Sequence, residues 1–229
     1  AFRITCFMFR IMLCFVFLIQ HLILSQNSYN ESAQKTGYWV GYYDSGELKY
    51  EGNFDNGNEV GCFKYYYKSG NLDTELCYDI PGVQSKALIY YSNGRIKALG
   101  YYCSQNRCGL WEFFDNKGNI ISKENYVNDL LDGDVIYYFN SIMTECFEYK
   151  FGQKNGKSVA FYDSGAIKKL SFYVDDKLEG EFSLFDINGF LIESGFYVEG
   201  FREGEWVIYK DNKKFSSTFY KKGEEVYGE

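Results

Sequence analysis

Large apolar and aromatic residues recur along this chain with a period of 24 residues, and glycines recur with them. Counting the first glycine as position zero, units begin at Gly37, Gly61, Ser85, Gly109, Gly133, Gly156, Gly180 and Gly204, spaced by 24 except for one interval of 23. Position five is aromatic in all eight: Tyr42, Tyr66, Tyr90, Phe114, Tyr138, Phe161, Phe185 and Tyr209. Position two is usually large and apolar, as in Trp39, Phe63, Trp111, Val135, Phe182 and Trp206. Six units have glycine at position nine (Gly46 to Gly189), an aliphatic residue at eleven (Leu48 to Leu191) and an aromatic at seventeen (Phe54 to Tyr197). A fixed period of this length marks a row of identical supersecondary units, none able to bury its apolar side alone.

Glycine density and the excess of aromatic and β-branched residues exclude helix, so each unit is expected to be a β-hairpin. Asp-Ser, Lys-Ser or Ser-Asn before the position-nine glycine suits a three-residue loop whose last residue is left-handed and forms a bulge. That loop sets position five opposite position eleven, Tyr42 on Leu48 and Tyr66 on Leu72, pairs contributing roughly 0.2–1 kcal/mol each. It also places Cys62 and Cys77, at positions one and sixteen, on different faces; a Cα separation below about 6.8 Å would contradict it. A lone hairpin is marginal in water, so the expected fold class is all-β: about eight antiparallel hairpins in one continuous twisted sheet over residues 37–229. Rings at positions five and seventeen are expected to form core rows. The position-six rings Tyr43, Tyr67, Tyr91, Phe139 and Tyr162 alternate to the other face and form the candidate binding surface.

The pattern Gly-x-Trp/Phe-x-x-Tyr, then turn glycine, then Leu or Ile, then Tyr before the next glycine, resembles the MORN repeat and more closely its longer bacterial variant. Tyr197 to Trp206 carries it best, and the resemblance runs from residue 37 to about 223. It implies an elongated, twisted antiparallel sheet of hairpins, often curved into a groove. It also implies binding and scaffolding rather than chemistry: some bacterial members are labelled antitoxin components, and no catalytic residue carries over. Two units depart from the pattern. The third has Ser85 and Ala87 after Pro81-Gly82; the fifth has Ile142 for the turn glycine, is one residue short, and leads to Ser158 at the next aromatic position. Function is sought at those breaks and on the free face.

Residues 1–26 differ from the rest. The run Ile11 to Ser25 is 15 mostly apolar residues after Arg10, which looks like a secretory signal peptide cleaved near Ser25 or Gln26, with Met8 as the expected start. It is shorter than the roughly 18–20 apolar residues of a membrane span and is interrupted by Gln20 and His21, so no stable membrane span is expected. The expected location is therefore secreted, periplasmic or cell-surface, with residues 27–36 a loose polar lead-in. Net charge is −7, and without Arg3 and Arg10 there remain 22 basic against 31 acidic residues. That balance argues against nucleic acid and anionic lipid as the main ligand.

The single histidine, His21, lies in the segment expected to be removed, which excludes Ser-His and Cys-His nucleophiles and histidine metal sites. The densest oxygen cluster, Asn128 to Asp134, lacks the alternating carboxylates of a calcium loop. No catalytic residue, metal or cofactor is expected, and the chain is read as non-enzymatic. Five cysteines follow the leading segment: Cys62, Cys77, Cys103, Cys108 and Cys146. Cys103 and Cys108 flank a short connection between strands and are the best candidates for a disulfide. The expected function is an exported scaffold that binds a protein partner. The alternatives are an antitoxin or immunity-type protein that occupies a toxin, and a cell-surface glycan-binding module using the position-six rings.

Overall fold

The computed structural model describes residues 26–226, so the expected signal segment up to Ser25 lies outside the described residues. The chain divides into two compact units, one up to Gly94 and one from Arg95. The first contains β1 (Ser28–Tyr29), β2 (Lys35–Tyr42), β3 (Leu48–Asp55), β4 (Asn58–Tyr66), β5 (Leu72–Ile80) and β6 (Gln84–Tyr90). The second begins with β7 (Ile96–Cys103), β8 (Asn106–Phe114), β9 (Ile120–Val127), β10 (Leu130–Phe139), β11 (Ile142–Lys150), β12 (Gln153–Phe161) and β13 (Ile167–Val174). It continues with β14 (Lys177–Leu178), β15 (Gly180–Phe185), β16 (Leu191–Val198), β17 (Phe201–Lys210), β18 (Lys213–Lys221) and β19 (Glu224–Val226). No helix occurs among the described residues, and within each unit consecutive strands pair antiparallel.

Two turn types alternate. Within a hairpin, Tyr67 N–H donates to Asn71 O at 2.9 Å and Gly70 N–H to Tyr67 O at 2.8 Å, closing the three-residue loop expected at Lys68-Ser69-Gly70. The position-nine glycines all have φ between 81° and 99°, the left-handed region that glycine enters without steric penalty. Position five faces position eleven as expected, in Tyr42↔Leu48, Tyr66↔Leu72 and Phe114↔Ile120. Between hairpins the turns are two-residue and left-handed at both positions, such as Asn56-Gly57 and Asn128-Asp129, a backbone whose twist matches that of the flanking strands, except at the three-residue Pro81-Gly82-Val83, where Gly82 alone is left-handed.

The expectation that this loop separates Cys62 from Cys77 is wrong. The two pair directly and are joined by a disulfide with Cα atoms 4.0 Å apart, although the three-residue loop is present. Both hold because the register shifts by one between Tyr65↔Thr74 and Tyr66↔Leu72, leaving Asp73 as a second bulge that cancels the first. The same shift recurs at Gly41/Tyr42, Phe113/Phe114 and Ala160/Phe161. Such a shift depends on how two strands meet and leaves no mark on either alone.

Both pattern breaks are register corrections. In the regular units the position-zero glycine is left-handed, Gly61 at φ 66°, and lies within a register shift between Glu51↔Lys64 and Asn53↔Val60. Ser85 cannot enter that region cheaply, and there the pairing runs unbroken from Thr74↔Ile89 to Tyr78↔Ser85. In the fifth unit the two-residue turn Asn140-Ser141 replaces the three-residue loop, which accounts for the interval of 23.

The lead-in is docked rather than loose. β1 pairs with the start of β2, and the Asn27 side chain donates to Val40 O at 3.1 Å and accepts from Val40 N–H at 2.9 Å, standing in for a neighbouring strand. Tyr29 lies edge-on against Trp39 with centroids 5.1 Å apart.

Candidate binding surfaces

A single sheet has two faces, and the sequence period decides which is covered. Positions two and seventeen share one face and bury their rings there. In the first unit Trp39, Phe54 and Phe63 form the buried cluster, with Tyr65, Leu76 and Tyr78 packed against it. The rings meet edge to face: Trp39–Phe54 at 5.8 Å, Phe54–Phe63 at 5.0 Å and Phe63–Tyr78 at 6.2 Å. In the second unit Tyr102–Trp111 at 5.0 Å and Tyr197–Trp206 at 4.9 Å repeat the arrangement. Phe63 and Trp111 are each 1% exposed. The position-five rings, expected to be core, are not buried, and Tyr42 is 58% exposed; each lies three residues after position two and so alternates away from the row.

Two supports for these rings were not anticipated. Glycines at position fifteen seat them: a Cβ on Gly52 would lie 2.5 Å from the Phe63 ring, on Gly100 2.3 Å from Trp111 and on Gly195 2.2 Å from Trp206. Cations two residues before position zero cover them: Arg202 at 3.9 Å from Trp206, Lys154 at 3.8 Å from Phe147, and Lys35 at 4.6 Å from Trp39 and 4.7 Å from Phe54. Neither is a full column of the repeat: position fifteen is also Leu76, Glu124 or Ser171, and the cation's place is also taken by Glu59, Val83, Leu131 or Leu178.

The position-six rings stand at the hairpin turns four residues after position two, so alternation along the strand returns them to the ring-row side and not to the opposite face expected for them. Tyr43, Tyr67, Tyr91 and Tyr162 are half-buried and Phe139 is 67% exposed. Three hydroxyls are used internally: Tyr43 donates to Tyr66 O at 2.7 Å, Tyr67 to Tyr90 O at 2.6 Å and Tyr162 to Phe185 O at 2.8 Å. Each latches one hairpin to the next, and lysine ammoniums lie over the rings, Lys49 at 5.7 Å and Lys68 at 5.6 Å from Tyr43 and Lys168 at 5.6 Å from Tyr162. Of the three units without an aromatic there, one has Lys210 and the others Asp115 and Asp186, whose carboxylates accept loop N–H groups at 2.8–2.9 Å.

Titratable groups are tied into the sheet. Glu51 accepts hydrogen bonds from Tyr38 and, at 2.6 Å, from Tyr66. The bond from Tyr38 is the main cause holding the Glu51 carboxyl below its ordinary range, with that from Tyr66 adding to it. The same bond, then burial, pushes the Tyr38 hydroxyl up to about 12, while burial and then Glu51 push Tyr66 to about 12. Asp129 accepts from Arg107 N–H at 2.9 Å and Nε at 3.0 Å, which lowers its pKa, so the Asn128 to Asp134 cluster serves a turn. Among the described residues the one group spaced for a metal ion is Cys62, Glu75 and Cys77, whose thiols are spent in the disulfide. Cys103 and Cys108 are also joined, across the Ser104-Gln105 turn, and burial pushes the free Cys146 thiol up.

No helix among the described residues is long and apolar enough to cross a membrane. No curated protein matches the chain. The family described as MORN repeat variant matches residues 35–56, 59–79 and 107–128, the first, second and fourth hairpins, and passes over the third with its missing glycine. Repeats of this family are associated with binding proteins or membranes. With the same glycines, rings and turns recurring from Gly37 onward, the chain is a MORN-repeat protein.

Proposed function

We propose that this chain is an exported, non-enzymatic scaffold that binds a protein partner along its hairpins. The observation that carries this reading is the number of large apolar side chains left on the surface of the sheet; Phe151, Phe201, Phe215 and Phe219 are each more than half exposed. Export is supported by two disulfides, a chemistry of oxidising compartments, and by the leading apolar run. Affinity capture of the oxidised protein with crosslinking, from the cells that express it, tests the reading. A protein partner joined stoichiometrically at surface positions is the expected result. Turnover of a small molecule, or no crosslinked partner under any condition, would reject it.

A further inference from the structure

Corners joining successive hairpins of the second unit carry apolar side chains that the fold leaves uncovered. Their turns are Asn128-Asp129, Phe151-Gly152, Asp175-Asp176 and Glu199-Gly200, left-handed at both positions. Beside them Val127 pairs with Leu130 and Val198 with Phe201, and Val174 stands at the third corner. Val127, Val174 and Val198 each follow a position-seventeen ring by one residue and so point to the face away from the ring row. All of these apolar residues are exposed, Phe151 most at 69%. The repeat does not require them: the matching corner of the first unit is Asp55-Asn56-Gly57-Asn58.

Phe151 has φ 51°, a left-handed position that a bulky ring seldom takes, where sister turns use Asn, Asp, Ser, Glu or Lys. Such a backbone is strained, and the largely exposed ring offsets little of that strain by burial. Strain without burial points to a role outside folding.

Spacing and charge identify the occupant. Adjacent corners are two strands apart, about 9.4–9.8 Å. An α-helix returns the same face every seventh residue, about 10.5 Å; an extended strand does so at about 6.7 Å. A polyproline helix repeats at about 9.3 Å but docks in grooves lined by aromatics, whereas most of this stripe is aliphatic. The turn tips carry Asp129, which is paired with Arg107, and Asp175, Asp176 and Glu199, against Lys150, Lys154, Lys177 and Arg202 on the adjoining strands, in a chain of net charge −7. A second copy or an anionic membrane would bring like charges together.

We propose that the stripe of Val127, Leu130, Phe151, Val174, Val198 and Phe201 receives an amphipathic α-helix of the partner protein, with apolar residues at heptad spacing between lysines or arginines. This rests on the protein-binding reading above. The probe is a fluorescent lysine-rich helical peptide with leucines on one face at heptad spacing, titrated against the oxidised protein by anisotropy. Comparators are a peptide of the same composition with leucines at alternate positions, a proline-rich peptide, and phosphatidylcholine–phosphatidylglycerol vesicles. The helical peptide should bind best. Phe151→Asn, which suits the turn, should keep or raise the thermal midpoint yet weaken binding at least about tenfold, as truncating an interface anchor does. Phe201→Asp should weaken it similarly, and Ile187→Ser, at a three-residue loop, should leave it unchanged. Equal or better binding by any comparator, no binding by the helical peptide, or full binding by Phe151→Asn would overturn the proposal. If the helical peptide fails while crosslinking still captures a partner, the stripe is wrong and the scaffold reading stands; capture of nothing removes the scaffold reading itself.

Discussion

Gly195 faces Phe182 across the hairpin and lies under the indole of Trp206 from the next strand, with an ordinary backbone φ, so only space demands a glycine. Gly195→Ala would put a methyl carbon 2.2 Å from the indole, and the ring must move. Overpacking of this kind destabilises by about 1–3 kcal/mol, and a thermal midpoint equal to wild type would reject the packing account. Tyr38, Tyr66 and Glu51 make a second residue-scale prediction. The tyrosine hydroxyls, raised from 10.0 to about 12, contribute stability that is complete below pH 10 and lost as pH rises towards 12. Glu51, lowered from 4.5, contributes stability that is complete above that value and lost on further acidification. Tyr38→Phe with Tyr66→Phe should lower stability at neutral pH and flatten both limbs in urea titrations across pH; limbs as steep as wild type would refute the network. Position two was legible as a recurring large apolar column. Its glycine seat was not, because position fifteen touches position two only across a strand boundary.

Each hairpin element is set by its loop and corrected by its bulge. The Cys62–Cys77 disulfide ties β4 to β5 across a separation of 15 residues, a closure that stabilises by about 3 kcal/mol in the chain-entropy account. Cys77→Ser should therefore lower the urea midpoint of the oxidised protein, and adding reductant to wild type should reproduce that loss; a midpoint indifferent to both would show that the hairpin does not rely on the bond. The three-residue loop was readable from the glycine and the polar pair before it, since left-handed backbone selects residue type. The compensating bulges at Lys49, Asp73, Ile121 and Lys168 were not, since any residue can occupy them. The cysteine test failed for that reason: parity counted from the loop is reversed by an extra residue that no composition announces.

For the molecule as a whole, export and redox state make one joint prediction. N-terminal sequencing of the mature protein should begin at Gln26 or Asn27, and a start at Met8 or earlier would remove the signal-peptide reading. Alkylation in denaturant without reductant should label Cys146 alone among residues 26–226, and all five cysteines after reduction. Labelling of Cys62 or Cys103 before reduction would show that the protein matures in a reducing compartment.

The sequence by itself determined the all-β class, the hairpin period, the loop type and the large apolar column at position two, because each follows from local backbone preference or from a period read along one strand. Tertiary structure decided the rest: that Cys62 meets Cys77, that the position-six tyrosines latch hairpins together, and that Phe151 stands exposed at a strained corner. Those outcomes depend on register between neighbouring strands, where one bulge reverses which face a side chain takes.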